Sequence, residues 1–344
     1  MKKILFPLLL ASLVLVACQK PNDESKDTSS EMEASSDVLP ETSELTPTSS
    51  EPTGYQKTSL SIVSPTGAPA LAFYDYANLS NFETNSNPTN IVAMMAAGQK
   101  DVVVLPTNAG VQAIKGKSAP YKLAATITFG NFYIASLNND ENNEMDASDT
   151  ILLFQQGNVP DKIFHYVYGD SFNSNIHYVS AVNDAASALI AGSFVDAETG
   201  NRIVPNYVMI AEPALTNVLS KKDTVTVYAD MQAKYKEKTG NKDLFQASVF
   251  IKNSVELQLA NSFLASLKED IEGAIADPSK LSTGMNKAED AQVLFGVAPQ
   301  MAENVLKKNN GMGLGFKYAK ENKEGIENFL TIFGITGIDE TIYF

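Results

Sequence analysis

Leu60-Ser61-Ile62-Val63-Ser64-Pro65-Thr66-Gly67-Ala68-Pro69, continued by residues 70–79 with a helical pattern, is the stretch on which the fold turns. Four residues of strand character run into a turn of small residues and prolines, and the turn opens a helix. In such a βα unit the first helical N–H groups lack intrahelical partners and can receive an anionic or polar ligand group. Taken alone, the segment reads as a plain connecting turn, which is what most strand-to-helix junctions are. An internal echo adds weight to the first reading. Residues 90–98 are followed by Val102-Val103-Val104-Leu105-Pro106, and residues 183–192 by Tyr207-Val208-Met209-Ile210-Ala211-Glu212-Pro213. Each copy reads as a short helix stopped at Ala-Gly, a buried strand, and a proline that opens the next helix. The interval from Gly192 to Pro213 is thirteen residues longer than that from Gly98 to Pro106, which places an insertion in the polar stretch 196–206. Alternating strand and helix patterns continue through residues 57–344, so an α/β fold of two related lobes is expected.

Composition removes several function classes. The 344 residues carry a net charge of -14, from 40 acidic and 26 basic side chains, and a surface of that sign repels nucleic-acid phosphate. Cys18 is the sole cysteine, and His165 and His177 are the only histidines. No internal disulfide or thiolate zinc site can form, and no metal or cofactor is implied. Arg202 is the only arginine, so a cluster of bidentate arginine clamps is also ruled out.

The N-terminus reads as an export signal. Lys2 and Lys3 precede an apolar run over residues 4–17, shorter than the roughly 20 residues of a spanning helix. Its end, Leu15-Val16-Ala17-Cys18, resembles the bacterial lipobox, which implies a signal peptide of residues 1–17 and lipidation of Cys18. The mature chain is then held by acyl chains on the extracytoplasmic face of the membrane, which it does not cross. Residues 18–56 are rich in Ser, Thr, Glu and Pro and hold few large apolar residues, so they read as a disordered tether. Nine acidic residues (Asp23, Glu24, Asp27, Glu31, Glu33, Asp37, Glu41, Glu44 and Glu51) against Lys20 and Lys26 put half of the excess negative charge there. A reach of about 35 Å follows from coil scaling. Visiting a membrane partner, spacing from a wall and carrying O-glycans are all compatible with this composition.

The ordered series SPTGAP, MAAGQKDVVVLPTNAG, YKLAATITFGNFYIAS, MIAEPALTNVLSK and LFQASVFIKNSVE resembles the solute-binding lipoproteins of ABC importers, in the branch of sulfonate, nitrate, taurine and thiamine-pyrimidine binders. The resemblance spans residues 57–344. It implies a monomer of the periplasmic-binding-protein fold, with a mixed five-stranded sheet in each lobe, two hinge crossings, and closure on a small-molecule ligand delivered to a membrane permease. The crossings are expected near residues 135–138 and 245–253, with lobe one at 57–135 and 246–344 and lobe two at 136–245.

In open α/β sheets, ligands collect where strand ends lead into helices. Lobe one offers Ser64, Thr66, Gly67, Thr89, Asn90, Thr107, Asn108, Thr128, Gly130 and Asn131 at such places. Lobe two offers Gln156, Gly157, Asn158, Asn183 and Glu212. Thr89, Asn90 and Asn183 also suit helix capping, Gly157 suits a turn, and Phe129, Phe132 and Tyr133 suit core packing as well as a ring-stacking wall. Glu212 is the charged exception, able to meet a ligand amine or a lysine of the facing lobe.

Catalysis is the rival class. It needs a positioned base, commonly histidine or paired carboxylates, whereas His165 and His177 read as packing or surface residues. The fungal pyrimidine synthases that share the implied fold depend on histidine and a cysteine-rich motif, and residues 57–344 contain no cysteine. An adhesin or wall spacer would also use the anchor and tether, but it has no need of a closing crevice. As to ligand, the resemblance implies an arginine clamp on the carboxylate in members that hold free amino acids, whereas Arg202 lies in the polar insertion and not at a strand end, so amino acids are not expected. A pyrimidine-like or other small heteroaromatic nutrient is expected, with a sulfonate or nitrate as the alternative; the absence of tryptophan argues against large sugars.

Overall fold

The computed structural model of the chain describes residues 57–344 apart from 118, 138–143, 171, 173, 174 and 309. The expected signal peptide, Cys18 and the tether to residue 56 lie outside the described residues. The opening strand–turn–helix is present as β1 (Ile62–Pro65) and α1 (Ala68–Leu71), followed by β2 (Phe82–Asn85), α2 (Pro88–Ala96), β3 (Val102–Pro106), α3 (Thr107–Lys117) and β4 (Tyr121–Thr128). The middle of the chain forms β5 (Phe132–Ser136), β6 (Ile151–Phe154), α4 (Val159–Tyr168), β7 (Ile176–Val179), α5 (Val182–Ala191), β8 (Phe194–Val195), β9 (Arg202–Ile203), β10 (Tyr207–Ala211), α6 (Ala214–Leu219), β11 (Thr226–Asp230) and α7 (Met231–Thr239). The chain then returns through β12 (Ala247–Lys252), α8 (Leu257–Ala276), α9 (Ser279–Met285), α10 (Ala291–Phe295), α11 (Pro299–Lys307), β13 (Leu314–Tyr318) and α12 (Lys323–Thr331).

Two mixed sheets result, with strand orders β13-β4-β12-β3-β1-β2 and β11-β5-β10-β6-β7. The echo read from sequence is a topological one. In the first sheet β2, β1 and β3 run parallel, and β12 lies antiparallel between β3 and β4. In the second, β7, β6 and β10 run parallel, and β5 lies antiparallel between β10 and β11. The first sheet has six strands where five were expected, because β13 adds antiparallel to the outer side of β4. The insertion after Gly192 contains the hairpin β8–β9. Its Asp196 accepts from the N–H and hydroxyl of Thr199 at 2.8 Å each and faces His177 Nδ1 at 2.8 Å, and these contacts lower its pKa to about 2. His177 therefore serves to anchor the hairpin.

Continuous apolar runs such as Val102-Val103-Val104-Leu105 form strands buried on both faces. Alternate residues divide accordingly: Val103, Leu105 and Phe250 join one core cluster, and Val102, Val104, Val249 and Ile251 join another. The first cluster continues into the second sheet through Ile134, Leu153 and Met209. Both sheets belong to one compact unit.

The crossings between sheets differ from expectation. The chain leaves the first sheet at Thr128 and enters the second at Phe132, so the first passage is Phe129-Gly130-Asn131. Ala135, placed at the crossing by sequence, is fully buried within β5 and pairs with Val208. The return passage is residues 240–246, whereas most of 245–253 is the central strand β12. The misplacement has a simple cause: β4 and β5 are both apolar strands, and nothing in composition marks the change of sheet between them.

Candidate functional site

A cleft of about 1180 Å³ separates the strand ends of the two sheets. Helices α2, α3, α4, α5 and α11 all begin at or beside its wall, so their partial positive ends face a common space. Of the residues expected from sequence, Thr66, Gly67, Thr89, Asn108, Asn131, Asn158, Asn183 and Glu212 line it. The structure places Ser64, Asn90, Thr107, Thr128, Gly130, Gln156 and Gly157 outside that wall.

The reasons differ from residue to residue. Ser64 is fully buried and its hydroxyl donates to the Pro65 carbonyl at 3.1 Å. Thr107 shares a 2.7 Å hydrogen bond with Ser248, which meets Thr126 at 2.8 Å, so a buried hydroxyl chain runs inside the first sheet. Thr128 is fully buried beside Ala247 in that sheet, and Gly130 lies in the first passage. The cap of α2 is Asn87, whose Oδ1 accepts from the Thr89 N–H at 2.9 Å; Asn90 is exposed one turn on. Gln156 is exposed, and the Gly157 N–H donates to Asp161 at 2.7 Å. Asp161 also accepts from the Tyr178 hydroxyl at 2.9 Å and lies 3.2 Å from His165, so this histidine buttresses the turn that carries Asn158. The Gly67 amide is not free for a ligand, since it donates to the Phe295 carbonyl at 2.9 Å.

Glu212 is buried in the wall of the cleft. Its two carboxylate oxygens accept from the Thr216 N–H at 2.9 Å and the Thr216 hydroxyl at 2.8 Å. Burial raises its pKa, opposed by the Thr216 bonds and by Lys308 of lobe one. Its backbone is fastened to the first passage, with the Glu212 N–H donating to the Asn131 carbonyl and Asn131 Nδ2 donating to the Glu212 carbonyl, both at 2.9 Å. Asn131 Oδ1 in turn accepts from Gln246 Nε2 at 3.0 Å, and Gln246 closes the return passage. The two passages are thus cross-linked at the floor of the cleft.

Gln246, Asn217, Lys221, Phe154, Gln292 and Met301 line the cleft and were not read from sequence. Gln246 had a signal, as the polar interruption in the apolar run Leu244-Phe245-Gln246-Ala247. The others reach the cleft from α6 and the residues just past its end, from the end of β6 and from helices late in the chain. Phe132 and Phe154 meet edge to face at 6.1 Å and supply an aromatic patch. Phe129 instead packs on Phe245, and the Tyr133 hydroxyl donates to the Gly311 carbonyl at 3.2 Å. Among the described lining residues Lys221 is the one cation and Glu212 the one carboxylate.

The chain matches no protein-family model and no curated protein sequence. Its structure is similar to that of an ABC transporter protein from Parabacteroides distasonis, at 18% identity and TM-score 0.60, over 79% of this chain and 90% of that one. It is similar too to the periplasmic aliphatic sulphonate binding protein SsuA of Escherichia coli, at 11% identity and TM-score 0.57, over 79% and 85%. A ligand-binding component of an ABC-type import system from Staphylococcus aureus, solved with zinc bound, aligns at 10% identity and TM-score 0.53, over 82% and 94%. The chain has the two-lobed α/β fold of these periplasmic and import-system binding proteins.

Proposed function

We propose that this protein is the extracytoplasmic solute-binding component of an ABC importer, which holds a small molecule between its lobes and delivers it to a membrane permease. The cleft carries this reading. Its 1180 Å³ lies above the roughly 300–1,000 Å³ of ligand pockets, as expected of an open form that contracts when it encloses a solute. The cross-linked passages at its floor leave the outer walls free to approach. A pyrimidine-like or other heteroaromatic solute suits the neutral hydrogen-bonding groups Asn108, Asn158 and Asn183 beside Phe132 and Phe154. The sulfonate or nitrate alternative is supported by the likeness to sulphonate binders and by the helix starts around the cleft. The binding event needs no chemistry on the solute.

Thermal-shift measurements across pyrimidines, sulfonates and amino acids should find a stabilising solute. Mass action gives about 2.7 kcal/mol at a hundredfold excess over the dissociation constant. A flat response to every class favours the adhesin or spacer reading instead.

Membrane attachment through lipid on Cys18 completes the proposal. Among the described residues no helix is long and apolar enough to cross a membrane. Cys18→Ser should move the protein from the membrane fraction to the medium and remove incorporation of labelled fatty acid. A mutant that stays with membranes, alongside a wild type that takes up no lipid label, contradicts the anchor.

A further inference from the structure

We infer that Gln155 is a solute-contacting residue of the cleft, kept in an unfavourable backbone conformation because its side-chain amide meets the captured molecule. The inference rests on the solute-capture reading and names one contact which that reading requires.

Gln155 directly follows β6 and belongs to the cleft wall. Its φ is 55°, in the left-handed region that a residue with a Cβ enters at a cost. Two other described non-glycine residues share that region, Asn241 at 76° and Asn310 at 54°. Both are asparagine, whose short amide tolerates it, and glutamine has no such allowance. The surrounding turn imposes the conformation. The Gln155 N–H donates to the Val179 carbonyl at the end of β7, and the Gln155 carbonyl accepts from the Asn158 N–H, both at 3.0 Å. The Gly157 N–H donates to one oxygen of Asp161 at 2.7 Å, and the Tyr178 hydroxyl donates to the other at 2.9 Å. A turn fixed at so many points holds a strained residue in place.

The turn explains the conformation but not the residue type. Glycine or asparagine would take the same φ more cheaply. Nor does the Gln155 side chain offset the strain inside the fold, because it is exposed and makes no hydrogen bond or ion pair with the described residues. The contrast with the floor of the cleft is direct: there the amides of Asn131 and Gln246 engage one another at 3.0 Å. Gln155 instead leaves an amide with two donors and an acceptor open on a residue that borders the solute space. Strain held in place by its surroundings, on a side chain without a partner of its own, is the pattern of a ligand contact.

Two variants of the mature chain separate strain from contact. Gln155→Gly relieves the backbone and removes the amide, whereas Gln155→Ala removes the amide and keeps the strain. In urea unfolding, Gln155→Gly should lower the unfolding equilibrium constant about threefold, the left-handed penalty less the entropy cost of glycine. Gln155→Ala should stay within about twofold of wild type, since the side chain has no partner in the fold. Thermal shift is then read against 2-aminopyrimidine, ethanesulfonate, sodium nitrate and the low-molecular-mass filtrate of a complex growth medium. For whichever of these stabilises wild type, both variants should need about tenfold more of it for an equal shift, the effect of one lost hydrogen-bonding partner. A Gln155→Gly protein no more stable than wild type overturns the inference, as does a wild-type dose response in either variant; in both cases the capture reading stands. A wild type that responds to none of the four removes the capture reading and this contact with it.

Discussion

Gly110→Ala should lower the stability of the protein by about 3 kcal/mol, although alanine is the better helix former by roughly 1 kcal/mol. Gly110 lies within α3, packed against β12. A Cβ there would fall 2.1, 2.3 and 2.8 Å from three atoms of the Phe250 ring. Phe250 is fully buried on the central strand, between Val103 of β3 and Leu123 of β4, so the ring has nowhere to withdraw. Close-packed interiors answer such overlap with off-rotamer side chains and backbone shifts. In a Phe250→Leu background the same Gly110→Ala change should cost much less, because the colliding ring edge is gone. Urea unfolding of the four proteins of this cycle measures the coupling. Strictly additive costs would show that the helix–strand approach is looser than described.

Gly313→Ala should cost at least about 3 kcal/mol, since left-handed backbone strain adds to steric overlap. Gly313 has φ 62°, and an added Cβ would sit 2.0 Å from the Gly130 carbonyl oxygen and 2.8 Å from its carbon. Both partners are backbone, so no side-chain rotation relieves the contact. The collision falls on the first passage between the sheets, where the Phe129 N–H donates to the Gly313 carbonyl at 2.7 Å. Displacing the loop also strains the Tyr133 to Gly311 hydrogen bond from lobe two. The variant should therefore bind solute more weakly than its lost stability alone explains, as read by chemical unfolding together with calorimetry. Wild-type unfolding and wild-type affinity in Gly313→Ala would remove this loop from the hinge.

The parts of the fold that sequence made legible are those encoded locally. The turn from Ser64 to Pro69 and the two Ala-Gly stops at Gly98 and Gly192 mark element ends through backbone chemistry that acts within a few residues. The hinge was not legible, because Phe129-Gly130-Asn131 looks like any tight link between neighbouring strands, and only sheet pairing shows that β5 belongs elsewhere. The strand-end rule named Asn108, Asn131, Asn158, Asn183 and Glu212, which line the cleft wall because topology brings those strand ends together. It failed for Thr107 and Thr128, where adjacent hydroxyls satisfy one another or the sheet itself buries them, and orientation at a strand end depends on register with Ser248 and Ala247. Gln246 illustrates the other limit: its role depends on Asn131 and Glu212, distant in sequence and brought together by the crossing.

Small-angle scattering of the mature chain, alone and with saturating solutes from the thermal-shift panel, tests the central claim that the cleft closes on a captured molecule. A stabilising solute should reduce the radius of gyration, with the change lost in a variant that no longer binds it. A solute that binds in the cleft and stabilises the protein while leaving the scattering profile unchanged would contradict closure between two lobes.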